Sequence, residues 1–373
     1  MSSKPGKFAI TSPSGDRPWW GRWLLILPWV LTAAGTSYRV CGAAEELQTP
    51  PVRQTPDRLS TSVFDTVSPP ADKIRDLIYL VTAIASVILL LVGGMLIYCI
   101  IRFRRRKTDR GEPPQLYGSQ PIELAWTVGP LLTVFVLLMV VIRTVAETRR
   151  PEPSADAVRI RVVGHRWWWE FQYPDFPGLT TANEMHVPAS VPGRERPIHL
   201  ELESADVVHS FWVPRLAGKT DVVPGRTNLM WFQTAHTGSY RGQCAEYCGT
   251  QHANMLIRVV VDAPDEFEAW AAHQASLQQI DPEFAAGQGL FMNRTCVNCH
   301  AIRGTEAGGT VGPDLTHLAT RKTLAAGTID NTRKNLAVWL HDPQSIKPGC
   351  DMPSLRLTDQ EVRDMAAFLE SLK

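Results

Sequence analysis

Two stretches without a charged side chain, residues 78–101 and 124–142, set the first constraint on this 373-residue chain. Each is long enough to cross a bilayer as a helix, because about 20 apolar residues span the hydrocarbon core. Between them runs Arg102-Phe-Arg-Arg-Arg-Lys107, followed by Arg110, against only Asp109 and Glu112. Short loops rich in Lys and Arg stay on the cytoplasmic side, so this loop is expected inside and both flanks of the hairpin outside. The competing arrangement, two buried helices of a soluble core, is disfavoured by the lengths and by the basic loop.

Everything beyond residue 143 is therefore expected outside the cell membrane. At the other end, Lys4, Lys7, Arg17 and Arg22 flank an apolar run at 23–34. That pattern fits a signal peptide or an uncleaved N-terminal anchor over residues 1–44. Small residues at Thr32 and Ala34, or Gly42 and Ala44, would suit cleavage, whereas Tyr38 and Val40 before Cys41 fit lipid attachment poorly. The net charge of +1 hides an asymmetry, with 18 Lys/Arg against 11 Asp/Glu in residues 1–150 and 10 against 15 in residues 151–280. The basic excess lies beside the apolar runs, and no segment has the basic surface of a nucleic-acid binder.

From Val158 the periodicity changes to two. Val158, Ile160 and Val162 alternate with Arg159 and Arg161, and similar alternation recurs at 197–203, 228–233 and 255–261. Val-Pro-Gly turns at 191–193 and 223–225 separate the runs, which together indicate an antiparallel β-sandwich or barrel over residues 156–263. Between the last two strands lies Cys244-Ala-Glu-Tyr-Cys248-Gly-Thr-Gln-His252-Ala-Asn-Met255, with His209 on a separate turn upstream. In an exported chain two such thiols could form a disulfide. The added imidazoles and thioether favour a soft metal instead, since thiolate, thioether and imidazole together select copper. Two cysteines on one short loop can be shared by two metal ions, a centre suited to taking up and releasing an electron.

Residues 264–281 read as a polar helical connector. Beyond them, over 282–373, Cys296-Val-Asn-Cys299-His300 is the attachment sequence of a c-type haem, the thiols binding the macrocycle and the histidine its iron. Met352, in a loop bracketed by Pro348, Gly349 and Pro353, is available as the sixth ligand, and Met/His ligation suits a cytochrome c. Thr358 and Glu361 form a capping box ahead of Val362, Met365, Ala366, Leu369 and Leu372 at helical spacing. Cys350 has no role legible in the sequence.

Taken in order, from about Val67 to the C-terminus, these features resemble subunit II of a bacterial haem–copper cytochrome c oxidase with a fused C-terminal cytochrome c, the caa type. The resemblance implies a multidomain membrane protein. Its parts would be a transmembrane hairpin at 67–149 (helices about 75–101 and 122–143), a cupredoxin-like domain, a linker at 264–281 and an all-α cytochrome c domain. It further implies a binuclear CuA centre on His209, Cys244, Cys248, His252 and Met255 with the backbone carbonyl of Glu246, whose side chain would touch a magnesium ion at the boundary with subunit I. Trp167, in Gly164-His-Arg-Trp-Trp-Trp-Glu170, matches the family's electron-input position, and Glu123 matches a glutamate near the mouth of a proton pathway. A carboxylate at a helix N-terminus is also favoured by the dipole alone. Other oxidase subunits and a cytochrome c or another periplasmic donor would be the partners, on the outer face of the bacterial inner membrane. Oxygen reduction would take place on another subunit. A CuA-type nitric oxide reductase subunit and a membrane-anchored copper-binding redox module are the alternatives.

Overall fold

The computed structural model describes residues 60–107, 111–112, 115, 117–149, 157–191 and 195–373. The signal peptide or anchor expected at 1–44, and Asp109 and Arg110 of the basic loop, lie outside the described residues. Helix α1 spans Pro69–Arg102 and α2 spans Gln120–Thr148. Both outrun the apolar stretches read from the sequence, because polar first and last turns continue the same helix outside the apolar segment. Pro69 and Pro121 occupy the first turns, where a missing N–H costs nothing. Among the described residues these two helices are long and apolar enough to cross a membrane, and their most apolar windows bury nothing against protein. A helix apolar all round and left uncovered calls for lipid as its solvent.

The hairpin is tied to the domain that follows. Ser68 Oγ accepts from the backbone N–H of Gln233, Trp231 Nε1 donates to the carbonyl of Thr148 at 2.8 Å, and Arg215 pairs with Asp65 at 3.0 Å. A Lys73–Glu147 ion pair at 2.8 Å joins the start of α1 to the end of α2.

Ten strands build the next domain: β1 Val158–His165, β2 Trp168–Gln172, β3 Thr180–Ala182, β4 Glu184–Pro188, β5 Ile198–Ser204, β6 His209–Trp212, β7 Thr220–Val222, β8 Asn228–Phe232, β9 Gly238–Cys244 and β10 Leu256–Asp262. They form two five-stranded sheets, β3-β2-β1-β5-β8 and β4-β10-β9-β6-β7. Alternating side chains such as Ile160, Val162, Leu200, Val259 and Val261 meet between the sheets as one core. The sandwich is not wholly antiparallel, as its turn spacing had suggested. β1 pairs β5 in parallel and β4 pairs β10 in parallel, because the chain leaves each sheet and returns to it between those partners.

Helix α3, Pro264–Ala275, also departs from the polar connector expected there. It buries Phe267 and Ala271 in the sandwich core and stacks Trp270 on His186, so its inner face belongs to the β-domain. The last domain has its own core, with helices α4 Ala285–Asn293, α5 Cys296–Cys299, α6 Arg333–His341, α7 Pro343–Ile346 and α8 Asp359–Ser371 around Phe291, Leu336, Met365 and Phe368. The Thr358/Glu361 capping box opens α8 as the sequence indicated. A two-strand ribbon, β11 Thr323–Leu324 and β12 Ile329–Asp330, faces the β-domain. There the N–H of Leu256 donates to the carbonyl of Ala326 at 3.0 Å, and Trp168 packs on Ala326.

Candidate functional site

Strand β9 ends at Cys244 and β10 starts at Leu256, so the intervening loop is pinned at both ends by the antiparallel β9/β10 ladder. Cys244 and Cys248 are buried with their sulfurs 3.8 Å apart, well beyond a disulfide bond and close enough to share a cation. Around them lie His209 Nδ1, 3.9 Å from the Cys244 sulfur, and His252 Nδ1, 3.6 Å from that of Cys248. Met255 Sδ is 3.9 Å from the Cys248 sulfur, and the Glu246 carbonyl is 3.2 Å from that of Cys244. All six positions singled out in the sequence therefore converge. The Glu246 side chain itself points to solvent.

His209 opens β6 rather than sitting in the preceding turn, and it is fully buried. Its Nε2 is held by Asp206 Oδ1 at 2.8 Å, which fixes the ring and presents Nδ1 to the thiols. Burial works against charging His209, yet the hydrogen bonds to Asp206 and Cys244 outweigh it and lift its pKa above the usual imidazole value. The mutual hydrogen bond of the two thiols draws Cys244 well below the usual thiol range and holds Cys248 above it. Such a pair gives up its first proton easily and its second only when a cation takes the place. Buried sulfur and imidazole donors with a carboxylate behind one ring fit a copper centre, and the 3.8 Å sulfur separation leaves no disulfide to compete.

The second site is a cavity of about 500 Å³ that the last domain closes against Arg166, Trp167, Trp168 and Asn183 of the β-domain. Cys296, Cys299, His300 and Met352 line it, with Phe291, Leu340, Met365 and Leu369 as apolar wall. His300 Nδ1 donates to the carbonyl of Pro313 at 2.7 Å, and burial lowers the pKa of the ring. A neutral imidazole protonated at Nδ1 keeps its lone pair on Nε2, the state required of an iron ligand. Gly312 is needed beside it, because a Cβ there would lie 2.6 Å from His300 Cε1. Volume, thiol pair, neutral histidine and facing methionine fit a covalently held haem. Cys350 also borders the cavity, with Gln344 Nε2 3.3 Å from its sulfur.

Three family profiles match the chain in order: "Cytochrome C oxidase subunit II, transmembrane domain" over residues 56–144, "Cytochrome C oxidase subunit II, periplasmic domain" over 179–263, and "Cytochrome c" over 284–373. Cytochrome c oxidase subunit 2 of Alkalihalophilus pseudofirmus is 33% identical over 322 residues, covering 84% of this chain and 91% of that one. The chain belongs to the cytochrome c oxidase subunit II family. The Bacillus subtilis subunit 2 is 32% identical over 323 residues, covering 81% of this chain and 89% of its own. Among solved structures, the periplasmic domain of subunit II of the Bradyrhizobium japonicum cytochrome oxidase is 34% identical, covering 33% of this chain and 95% of that one with a TM-score of 0.30.

This subunit II carries a fused cytochrome c domain and is an electron-transfer subunit of a haem–copper oxidase, part of an oxidoreductase complex. Its periplasmic domain implies a CuA copper centre and its last domain a haem. It is a membrane protein with a periplasmic domain.

The structure also places Trp167 and Glu123, named above, and three residues to which the sequence assigned no role: Asp206, Lys347 and Glu184. Trp167, buried, lines the haem cavity and donates from Nε1 to the carbonyl of Cys248 at 3.0 Å. Trp168 stacks on His165, and Trp169 lies edge-on to His209 in the sandwich core. Lys347 is buried at the domain boundary, where burial pushes its amino group down to about 7 against the pull of Cys350 and Cys248. Glu184, also buried, accepts from the N–H groups of Lys322 and Thr323 and from the Thr323 hydroxyl at 2.6 Å. Asp206 alone had a signal, an acid three residues before a candidate ligand. Glu123 sits in the first turn of α2 and accepts from the N–H of Ser119 at 3.2 Å, which is capping geometry.

Proposed function

We propose that this chain carries electrons from a cytochrome c or another periplasmic donor to subunit I, where oxygen is reduced to water. In this reading Cys296 and Cys299 hold the haem covalently, and His300 and Met352 are its axial ligands. His209, Cys244, Cys248, His252, Met255 and the Glu246 carbonyl hold the copper pair. When bound, each centre exchanges one electron at a time, and the protein supplies their placement, burial and hydrogen bonding.

The observation that carries the reading is the position of Trp167. One indole both lines the haem cavity and hydrogen-bonds the Cys248 carbonyl, so the two sites share a side chain. Input from the chain's own haem therefore reaches the residue that otherwise would meet a soluble donor. Asp206 orients His209, and the Pro313 carbonyl orients His300, so neither ring must reorganise on loading. The exposed Glu246 carboxylate, on the residue whose carbonyl faces the copper pair, is free to take part in a magnesium site at the boundary with subunit I. Glu123 is assigned to the mouth of a proton pathway in addition to its capping role. The basic 102–107 loop supports a multi-pass topology with both soluble domains on the outer face of the bacterial inner membrane.

Absorption and electron paramagnetic resonance (EPR) spectra of the purified chain, with haem and copper supplied, test this reading. A low-spin c-type haem together with a mixed-valence dicopper signal is expected. The haem spectrum without the dicopper signal would refute the copper assignment.

A further inference from the structure

The two redox sites are joined by one amino group. Lys347 belongs to the loop that carries Met352, and its Nζ donates to the carbonyls of Trp167 at 2.7 Å, Asn254 at 2.9 Å and Ala325 at 3.3 Å. Asn254 lies between His252 and Met255, Trp167 carries the indole on Cys248, and Ala325 belongs to the ribbon turn of the cytochrome domain. The neighbouring residues follow the same course: Gln251 Nε2 donates to the carbonyl of Pro348, and a Cβ added at Gly349 would stand 3.5 Å from Thr250 Cγ2. Residues 347–349 thus lie directly on residues 250–254.

Resting on the haem and copper assignments above, we propose that Lys347 is the positioning residue that sets the approach of the haem loop to the copper loop. It acts through the Trp167 and Asn254 carbonyls and thereby governs internal electron transfer. A general tie between the domains exists elsewhere, in the Glu184 carboxylate that accepts from Lys322 and Thr323. An apolar side chain would join two domains without the desolvation that a buried amino group brings. What Lys347 supplies and an apolar residue lacks is directional bonding to three backbone segments at once, two of them beside copper ligands. The step it serves is a one-electron exchange in which haem iron is oxidised and the copper pair reduced by the same electron, with no bond made or broken.

The test uses the full-length chain loaded with haem and copper, as wild type, Lys347→Met, Lys347→Gln and Glu184→Gln. In Lys347→Met each centre should keep its own absorption and EPR signature. The magnetic coupling between them should weaken, and flash-triggered haem-to-copper transfer should slow severalfold as the separation grows. Lys347→Gln, which keeps two N–H donors, should recover part of the rate and supplies the same comparison if the Met variant does not accumulate. Glu184→Gln should slow transfer far less. Hydrogen exchange on the copper-free chain should rise at residues 250–256 in Lys347→Met. Unchanged coupling and rate in the Lys347 variants, or equal slowing in Glu184→Gln, would overturn the proposal. If the wild type lacks the dicopper signal, the ligand assignment fails instead, and the exchange measurement still decides whether Lys347 fixes the loop.

Discussion

Gly164→Ala puts one carbon against the copper site without touching a ligand. Gly164 lies on β1 directly behind His209, and a Cβ at this position would stand 2.9 Å from His209 Cδ2, 3.2 Å from Cγ and 3.3 Å from Trp169 Cζ3. Ordinary contact begins near 3.4 Å, so the imidazole must retreat by about half an ångström. Retreat is resisted, because Trp169 is fully buried edge-on to the ring and Asp206 holds Nε2. The strain therefore falls on the Nδ1 side, the face turned toward Cys244. Displacing a ligand's support in this manner typically lowers metal affinity 10- to 100-fold, or about 1.4–2.7 kcal/mol. The assay is copper retained per chain during titration with a competing chelator. Covalent haem absorbance provides the count of folded chains, since the attachment cysteines Cys296 and Cys299 lie in the other domain. Copper retention equal to wild type, at equal haem content, would refute the argument that His209 is a ligand held from behind by Gly164 and Trp169.

Replacing Met352 by Leu should leave haem covalently attached through Cys296 and Cys299 but change its ligation, so an unaltered absorption spectrum would show that another residue binds the iron. Trp167→Phe removes the donor to the Cys248 carbonyl, a loss of about 1 kcal/mol at the loop. It should slow haem-to-copper transfer, read by flash photolysis, while both metal spectra persist. Glu184→Ala leaves two N–H groups and a hydroxyl buried without their acceptor and should destabilise the chain by about 3 kcal/mol or more, measured as a lower unfolding midpoint in denaturant. Lys347 titrates near 7 in the fold and near 10.5 when unfolded, so the unfolded chain holds the extra proton between those values. Stability contributed by this group is then fully present above pH 10.5 and lost as pH falls toward 7. The melting-temperature difference, wild type minus Lys347→Met, should accordingly rise across that window, and a flat difference would contradict it.

Local pattern carried most of the architecture. Uncharged length identified α1 and α2, period-two alternation located β1, β5, β8 and β10, and the spacing from Cys244 to Met255 marked one side of the metal site. His209 was found by ligand type, although only the fold could bring β6 beside the β9–β10 loop. The misjudged helix α3 shows where pattern fails: its acidic first turn and scattered polar residues mask Phe267, Trp270 and Ala271, whose partners lie on strands far away in sequence. The parallel β1/β5 and β4/β10 pairings were equally hidden, because alternation fixes which face is buried and not which neighbour a strand takes. Lys347 is the extreme case. A lysine before Pro-Gly reads as surface, and the carbonyl that holds it belongs to a residue 180 positions earlier.

The contact of Trp168 with Ala326, beside the Leu256–Ala326 backbone bond, has a kinetic meaning. A soluble donor reaches its acceptor by collision, so its rate scales with concentration and falls as salt screens the attraction between charged faces. On the proposed route the donor domain is already seated on packed and hydrogen-bonded surface and tethered by α3. Its effective concentration is a constant of the fold rather than of the periplasm. Turnover should therefore respond to ionic strength only at the outer step, when an external donor meets the cytochrome domain. The inner step should run at one rate in dilute and in salty media alike.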